Sequence, residues 1–201
     1  MKGTGLLLIV AVSVAACATE TPADFPEGHE EVDATTVVDA PSATPGSYAP
    51  ENRAVVQRGE YMVELLGCGA CHTDGALVGT PDMDKALAGS RTGIAYTSPL
   101  DKDYPGVIYP PNITPDVKTG IGDLSDVQIG NAIRAGIGRH VGRRMATMPW
   151  QGYAKMNDDD VDAIVSYLRS IRPVQHEVPD AVAPGQRAKH PFVYFGVYQS
   201  K

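Results

Sequence analysis

Two cysteines and a histidine, Cys68, Cys71 and His72, stand together in the pattern C-x-x-C-H. Thiols and imidazoles serve as nucleophiles, redox groups and metal ligands, so this short segment is the part of the sequence best equipped for chemistry. A thioredoxin-like redox pair would need a flanking βαβ pattern, which is missing, and would leave His72 unexplained. A tetrahedral zinc site would need a second cysteine pair, and the chain has only one further cysteine, Cys17.

The first residues have the pattern of an export signal. Lys2 supplies a positive charge, and an apolar stretch of eleven residues follows over 6–16. The stretch ends in the letters VAAC at 14–17, which resemble the lipobox of bacterial lipoproteins, where the cysteine is acylated and becomes the first residue after cleavage. Ordinary cleavage after Ala18 is the alternative, but the lipobox also explains the odd third cysteine. We therefore expect a signal peptide over 1–16 and a lipid anchor on Cys17 that attaches the chain to a membrane without spanning it.

In an exported chain, the C-x-x-C-H pattern predicts covalent haem attachment. Two thiols three residues apart on a helical turn can reach the two vinyl groups of one porphyrin. The residue that follows then places an imidazole under the iron. The motif occurs once, so we expect one haem c, bound by Cys68 and Cys71 with His72 as an axial ligand.

Charge divides the mature chain into two parts. Residues 18–52 hold eight acidic residues, five prolines and no lysine or arginine. They offer few large apolar residues to offset the entropy of ordering, so we expect a disordered, acidic, proline-rich tether over 17–52. Acidic and basic residues are equal in number over 53–201, and the whole chain has a net charge of −7. A generally basic nucleic-acid binder is thereby excluded, and no nucleic-acid partner is expected.

Two helices are predicted before the last third of the chain. The first runs from Arg53 to Leu66 and contains Gly59, which is costly in a helix unless another helix approaches closely there. The second begins at Ser125, where Gln128 can complete a capping box, and ends near Gly136.

A third helix is predicted from Asn157, with three aspartates at the positive end of its dipole. One apolar stripe recurs along it at helical spacing: Val161, Ile164, Val165, Leu168 and Ile171. Pro173 follows its end, and no strong strand pattern appears before residue 192. Short helices around one large apolar cofactor predict an all-α fold.

Five segments now stand in order: RGEY at 58–61, CGACHT at 68–73, NITPD at 112–116, MPW at 148–150 and MNDDD at 156–160. Together they resemble class I mono-haem c-type cytochromes, and in particular the cytochrome modules of bacterial membrane-bound alcohol and gluconate dehydrogenases. The resemblance covers 53–173 and implies an all-α class I cytochrome c domain there. It also implies close crossing of the terminal helices, with Gly59 against Tyr167 or Leu168. The aromatic-rich remainder, 174–201, is expected to be a C-terminal tail packed on the domain or on a partner.

The resemblance also implies the remaining haem contacts. In this family a proline carbonyl orients the proximal histidine, and Pro111 holds that place. The Met-Pro-aromatic stretch implies Met148 as the second axial ligand, a soft donor that favours ferrous iron and raises the reduction potential. From the residues alone, Met145 and His140 remain alternatives, and His140 would lower the potential.

Three further side chains are candidate partners of the haem propionates: Arg91, Trp150 and Tyr153. Three histidines outside the segments of the resemblance are expected to be solvated: His29, His176 and His190. Between residues 127 and 157 there is no acidic residue, yet five basic ones occur: Arg134, Arg139, Arg143, Arg144 and Lys155. They would either neutralise the propionates or form a docking face for an acidic redox partner.

The sequence therefore predicts electron transfer by a membrane-anchored mono-haem cytochrome c that serves periplasmic or membrane redox proteins. The alternative is a fixed electron-transfer subunit of a larger respiratory or dehydrogenase complex. A haem enzyme or ligand sensor is a weaker third class, because an iron closed by methionine leaves no open site for substrate. The expected location is exported, with the protein facing the periplasm or the cell surface.

Overall fold

A computed structural model describes residues 41–43, 52–99, 104–138 and 147–196. The α-helices in these segments are α1 (Arg53–Leu65), α2 (Cys68–His72), α3 (Asp126–Ala135), α4 (Trp150–Tyr153) and α5 (Asp158–Ser170). Single 3₁₀ turns lie at Ala76–Val78 and Met83–Lys85, and short strands are β1 (Gly93–Ala95), β2 (Val107–Ile108) and β3 (Phe192–Val193). Within the described segments, no helix has both the length and the apolar character needed to cross a bilayer.

The three predicted helices are present as α1, α3 and α5, and side-chain caps fix where the last two begin. Ser125 and Gln128 form the expected capping box, in which the Ser125 backbone N–H donates to Gln128 Oε1 at 2.8 Å. Gly136 ends α3 with a φ of 64°, a left-handed conformation that favours glycine. Asn157 Oδ1 accepts a hydrogen bond from the Asp160 backbone N–H at 2.8 Å and starts α5.

The helical core forms where α1 crosses α5. Gly59 of α1 lies directly against Ala163 and Tyr167 of α5, which confirms the predicted contact with Tyr167. The predicted apolar stripe of α5 is buried throughout, and α1 and α3 add four further core residues: Val56, Val63, Ile129 and Ile133. Burial of this stripe, more than helix propensity, holds α5 in place.

A small sheet joins the chain's last third to its middle, and its first two strands were not predicted, since no strong strand pattern appears before residue 192. Strand β1 pairs antiparallel with β2, Ile94 opposite Ile108, and parallel with β3, Ile94 opposite Val193. A second apolar cluster of Ala95, Val107 and Tyr109 lies beside it, with Phe192 and Tyr194 packed against it. Strands of two or three residues are too short to show a period-two pattern. The sheet is an addition to a domain whose main core is helical, so the all-α class still describes the fold.

Residues 41–43 lie against the domain, in contrast to the disorder expected over the whole tether. Pro41 is buried, and Ala43 packs against the helical core. The Ala43 backbone N–H donates to Tyr167 Oη at 3.2 Å, and the same hydroxyl donates to the Ala43 carbonyl. The expectation of disorder is wrong here because the backbone N–H and carbonyl of Ala43 form hydrogen bonds with the buried Tyr167 side chain. Composition does not reveal such a contact.

Candidate haem-binding site

The C-x-x-C-H residues form α2, a single helical turn. Helix α1 ends at Leu65, and the chain changes direction at Gly67, whose φ of 67° is left-handed. Cys68 and Cys71 stand three residues apart on α2 and therefore share one of its faces. The local sequence thus presents both thiols to one side, as haem attachment requires.

That side is a cleft, partly open to solvent, with mostly apolar walls. Its walls contain all five residues predicted to hold the cofactor: Cys68, Cys71, His72, Pro111 and Met148. Two thiols, an imidazole and a thioether are the donor set of a haem c with histidine and methionine ligands. The residues present therefore fit the group.

His72 is oriented by Pro111. The ring nitrogen Nδ1 lies 2.7 Å from the Pro111 carbonyl oxygen. A carbonyl only accepts hydrogen bonds, so Nδ1 carries the proton and Nε2 keeps its lone pair for a metal. Burial lowers the pKa of His72, and the hydrogen bond to Pro111 opposes that shift in part. The lowered pKa favours the neutral imidazole, which is the form that binds iron.

Pro111 is in turn held by Asn112, a buried residue. Asn112 Nδ2 donates to the Val174 carbonyl at 2.7 Å and to Thr119 Oγ1 at 3.0 Å. Asn112 Oδ1 accepts from the backbone N–H and the hydroxyl of Thr114, at 2.9 and 2.7 Å. The amide thus uses all four of its hydrogen-bonding positions and fixes the residue next to Pro111 to the chain that follows α5.

Gly89 ties the end of α2 to the same loop. Its N–H donates to the His72 carbonyl at 2.8 Å. A Cβ at this position would lie 2.7 Å from the Asn112 nitrogen and 2.9 Å from the Pro110 carbonyl oxygen, and its φ is 87°. The sequence does not single out Gly89 or the role of Asn112, because neither type of residue signals chemistry by itself.

The thiols are not poised for redox exchange in the protein alone. Burial raises the pKa of Cys68 to about 11, with a smaller contribution from Cys71, although a backbone hydrogen bond opposes the shift. Burial also raises the pKa of Cys71. Reactive thiol pairs in disulfide oxidoreductases have lowered pKa values. The environment therefore disfavours the redox-pair interpretation of the motif.

The candidate propionate partners differ in position. Tyr153 lies in the cleft wall, and its hydroxyl donates to the Leu66 carbonyl at 3.4 Å. Trp150 packs against Gly136, whose Cβ would lie 2.6 Å from its ring. Arg91 is exposed, and its backbone N–H donates to Asp74 at 2.8 Å. Of the three, Tyr153 is the one that lines the cleft.

Several predicted residues lie outside the part that the structure describes: Cys17, His29, Arg139, His140, Arg143, Arg144 and Met145. Arg134 is described, and its guanidinium donates to Asp158 at 2.7 Å. Its charge is thus partly neutralised within the domain, which weakens its predicted place in a docking face.

The expectation that His176 is solvated is wrong. Its side chain is 10% exposed, and Nδ1 lies 2.9 Å from the Ala88 carbonyl oxygen. Its backbone N–H donates to Thr119 Oγ1 at 3.0 Å. The residue helps to bind the segment after α5 to the loop that carries Gly89, a contact between distant parts of the chain that no local pattern reveals.

The Cytochrome c family model matches residues 56–172, more than half of the chain. The chain belongs to the cytochrome c family. Membership implies covalently bound haem c, in agreement with the donor set of the cleft. The family that the motifs resembled is therefore confirmed.

Relatives of this cytochrome include subunits of bacterial dehydrogenases. It is 35% identical over 136 residues, 66% of its length, to the cytochrome c subunit of a quinone alcohol dehydrogenase from Gluconobacter oxydans. It is 34% identical over 134 residues, also 66% of its length, to the gluconate 2-dehydrogenase cytochrome c subunit of Pantoea cypripedii. The fructose dehydrogenase cytochrome subunit of Gluconobacter japonicus is 32% identical over 146 residues, 73% of the chain. The matches cover only 25%, 27% and 26% of these relatives, about a quarter of each.

Proposed function

We propose that this cytochrome transfers single electrons between redox proteins through one haem c held by Cys68, Cys71, His72 and Met148. The observation that carries the proposal is the meeting of two thiols, an imidazole and a thioether in one mostly apolar cleft. When bound, haem supplies a reversible one-electron couple. The remaining work belongs to the protein: to bind the group, fix its ligands and exclude water.

Each side chain has a separate task in this proposal. Cys68 and Cys71 bind the porphyrin covalently, so the group cannot dissociate. His72 offers Nε2 to the iron, and the Pro111 carbonyl prevents rotation of the imidazole. Met148 would supply a second ligand to the iron, which would leave no open site for substrate. The chain alone is therefore an electron carrier with no catalytic residue of its own.

The walls of the cleft set how easily the iron loses an electron. Leu66, Ile94, Ile108 and Tyr109 surround the donor groups with mostly apolar surface. A surrounding of low polarity disfavours the extra positive charge of the oxidised state, and a thioether ligand acts in the same direction. We therefore expect a reduction potential in the upper part of the range for haem proteins.

Covalent attachment of the haem to Cys68 and Cys71 is a direct test of the proposed function. In a Cys68→Ala, Cys71→Ala double variant no haem should remain with the chain after extraction with acidified acetone, whereas the wild type should keep all of it. Cys17→Ser is the matched control, since it removes a cysteine outside the motif and should retain covalent haem. One haem per wild-type chain is expected from the intact mass. Haem extracted from the wild type, or two haems per chain, would contradict the proposal.

The anchor is a separate part of the proposal. Residues 1–16 act as a signal peptide, and acylated Cys17 attaches the exported chain to a bacterial membrane, with the domain facing the periplasm or the cell surface. The native protein should partition into detergent and begin at Cys17 with added lipid mass. A mature chain that begins at Thr19 without lipid would refute the anchor and leave the haem assignment untouched.

A fixed subunit of a larger complex is the alternative, and the names of the relatives favour it. The three matches named above are cytochrome subunits of alcohol, gluconate and fructose dehydrogenases. Purification from detergent-solubilised membranes separates the two cases. A free cytochrome supports the mobile carrier, and co-purification with a dehydrogenase subunit in fixed ratio supports the alternative. In either case Arg139, Arg143 and Arg144 are proposed to meet an acidic partner, so electron transfer should slow as salt rises.

A further inference from the structure

A buried tyrosine hydroxyl depends on the N-terminal segment for its hydrogen bonds. Tyr167 is fully buried in the helical core. Its hydroxyl accepts from the Ala43 backbone N–H at 3.2 Å and donates to the Ala43 carbonyl. A buried hydroxyl that loses its partners is costly, so the domain favours occupation of this place. We call residues 41–43 the strap.

A second contact, independent of the hydroxyl, holds the other end of the strap. Pro41 is buried and lies against Gly69, the residue that follows Cys68 in the C-x-x-C-H motif. A Cβ at position 69 would overlap the Pro41 carbonyl oxygen, so only glycine leaves room for the strap here. Gly69 thus leaves room for the N-terminal segment. The two cysteines of the motif face the cleft instead.

The strap leaves the site clear. Among the described residues, those that line the cleft include Cys68, Cys71 and His72 but no residue of the strap. The chain therefore passes along a flank of α2 that the haem ligands do not use. Residues 18–40 carry seven of the eight acidic residues of the segment before Arg53.

We infer that the strap is a docking contact that fixes where the acidic N-terminal segment leaves the domain, beside α2 and away from the cleft. What the strap means for the anchor on Cys17 rests on the proposed function. If Cys17 is the anchor, the strap shortens the part of the chain that acts as a tether. The 36 residues from Cys17 to Asn52 would span at most about 120 Å, whereas the 24 residues from Cys17 to Ala40 span at most about 80 Å. A domain held by this flank keeps its cleft accessible to a redox partner.

Hydrogen–deuterium exchange of the full-length, haem-loaded protein in detergent tests the inference. The Ala43 amide should exchange at least tenfold more slowly than in an unstructured peptide of the same sequence. Tyr167→Phe removes both hydrogen bonds and keeps the ring, and Gly69→Ala blocks the passage of Pro41. Each should abolish the protection, and the haem spectrum of Tyr167→Phe, which lies outside the cleft wall, should stay unchanged. Tyr61→Phe, an exposed tyrosine of α1, and Gly152→Ala, with open space around its Cβ, are the matched controls.

A third variant, Ala43→Glu, lies on the strap itself and keeps the test decisive if a domain variant fails to fold. It places a carboxylate where Ala43 packs on the core and should also abolish protection. Loss of protection in any of the three variants, with both controls protected, supports the strap. Wild-type exchange at the peptide rate, or full protection in all the variants that fold, would overturn it. The exchange of Ala43 does not depend on lipid at Cys17, so failure of the anchor would be seen separately in the intact mass.

Discussion

Gly59 on α1 faces Tyr167 on α5 so closely that a Cβ at position 59 would lie 2.8 Å from the tyrosine Cβ. The backbone of Ala163 is closer still, because its carbonyl oxygen and carbonyl carbon both lie nearer to the position of that Cβ. The missing side chain lets α1 and α5, the two longest helices among the described residues, cross in direct contact. This crossing supports α1, the helix that leads into α2. The site therefore depends on a glycine that lies outside its walls.

Gly59→Ala should destabilise the protein by roughly 1–3 kcal/mol, because the added methyl group has no space. The gain in helix propensity, up to about 1 kcal/mol, offsets only part of this cost. Thermal or denaturant unfolding of the haem-loaded protein measures the change. Gly152→Ala on α4 is the control, since a Cβ there meets no atom within 4 Å; it should not destabilise. Equal stability of Gly59→Ala and the wild type would show that the helices can separate without cost.

Asn112→Ala should loosen the Pro111 carbonyl that orients His72. The change removes the acceptor of the buried Thr114 backbone N–H and one of the two hydrogen bonds to the Val174 carbonyl, at a cost of roughly 1–3 kcal/mol. We expect lower stability together with a shifted reduction potential, since the hydrogen bond to the histidine ligand tunes the iron. Potentiometry and unfolding on one sample measure both effects. Asn131→Ala, an exposed position on α3, is the control. Loss of stability with an unaltered potential would mean that Asn112 supports the fold alone.

The main helices and the attachment motif were predictable because each has a local signal. Ser125 with Gln128 marks the start of α3, the stripe from Val161 to Ile171 marks α5, and the motif at 68–72 occurs once. Such signals lie within one or two helical turns, so the sequence shows them directly.

The rest of the fold depends on contacts between distant residues that local patterns do not encode. Gly89 matters because the backbone of Asn112 lies against it, and the strap matters because Tyr167 needs partners for its hydroxyl. Strands β1 and β3 pair across about half of the chain. The same holds for His176, whose partner Ala88 is 88 residues away. A family resemblance supplied Pro111 and Met148, which the residues alone did not single out.

Acid should destabilise the loop that follows Pro111, because it protonates the Asp116 carboxylate. Its carboxylate accepts from the Thr119 backbone N–H at 2.7 Å and hydroxyl at 2.8 Å, which holds its pKa below the usual 3.8. Because the pKa of Asp116 is lower in the folded state than in the unfolded state, ionisation of this carboxyl stabilises the fold. The contribution is complete at a pH above the pKa of the unfolded state. The contribution is lost as the pH falls through the folded pKa.

Asp116→Asn should therefore reduce stability near neutral pH, and the difference from the wild type should shrink below pH 3.8. Denaturant unfolding across the acid range measures this difference. Asp162→Asn, an exposed carboxylate on α5, serves as the control. A difference that stays constant from neutral to acid pH would rule out ionisation of Asp116 as its cause.

The methionine ligand has its own spectroscopic test. Oxidised haem with a thioether ligand should show a weak near-infrared sulfur-to-iron charge-transfer band. We expect Met148→Ala to lose this band, because Met148 lies in the cleft wall, and Met145→Ala to keep it. Persistence of the band in Met148→Ala would transfer the ligand to Met145. Its absence from the wild type would point to His140 or an open site.

Potentiometric titration of the purified cytochrome, followed by its visible spectrum, tests the central claim most directly. One haem c closed by His72 and Met148 predicts a single reversible transition that fits one electron, at a potential in the upper part of the roughly 0.8 V range of haem proteins. The ferrous spectrum should not change when carbon monoxide is added, because no axial position is open. Two transitions, a potential in the low part of the range, or carbon monoxide binding to the reduced protein would contradict the account.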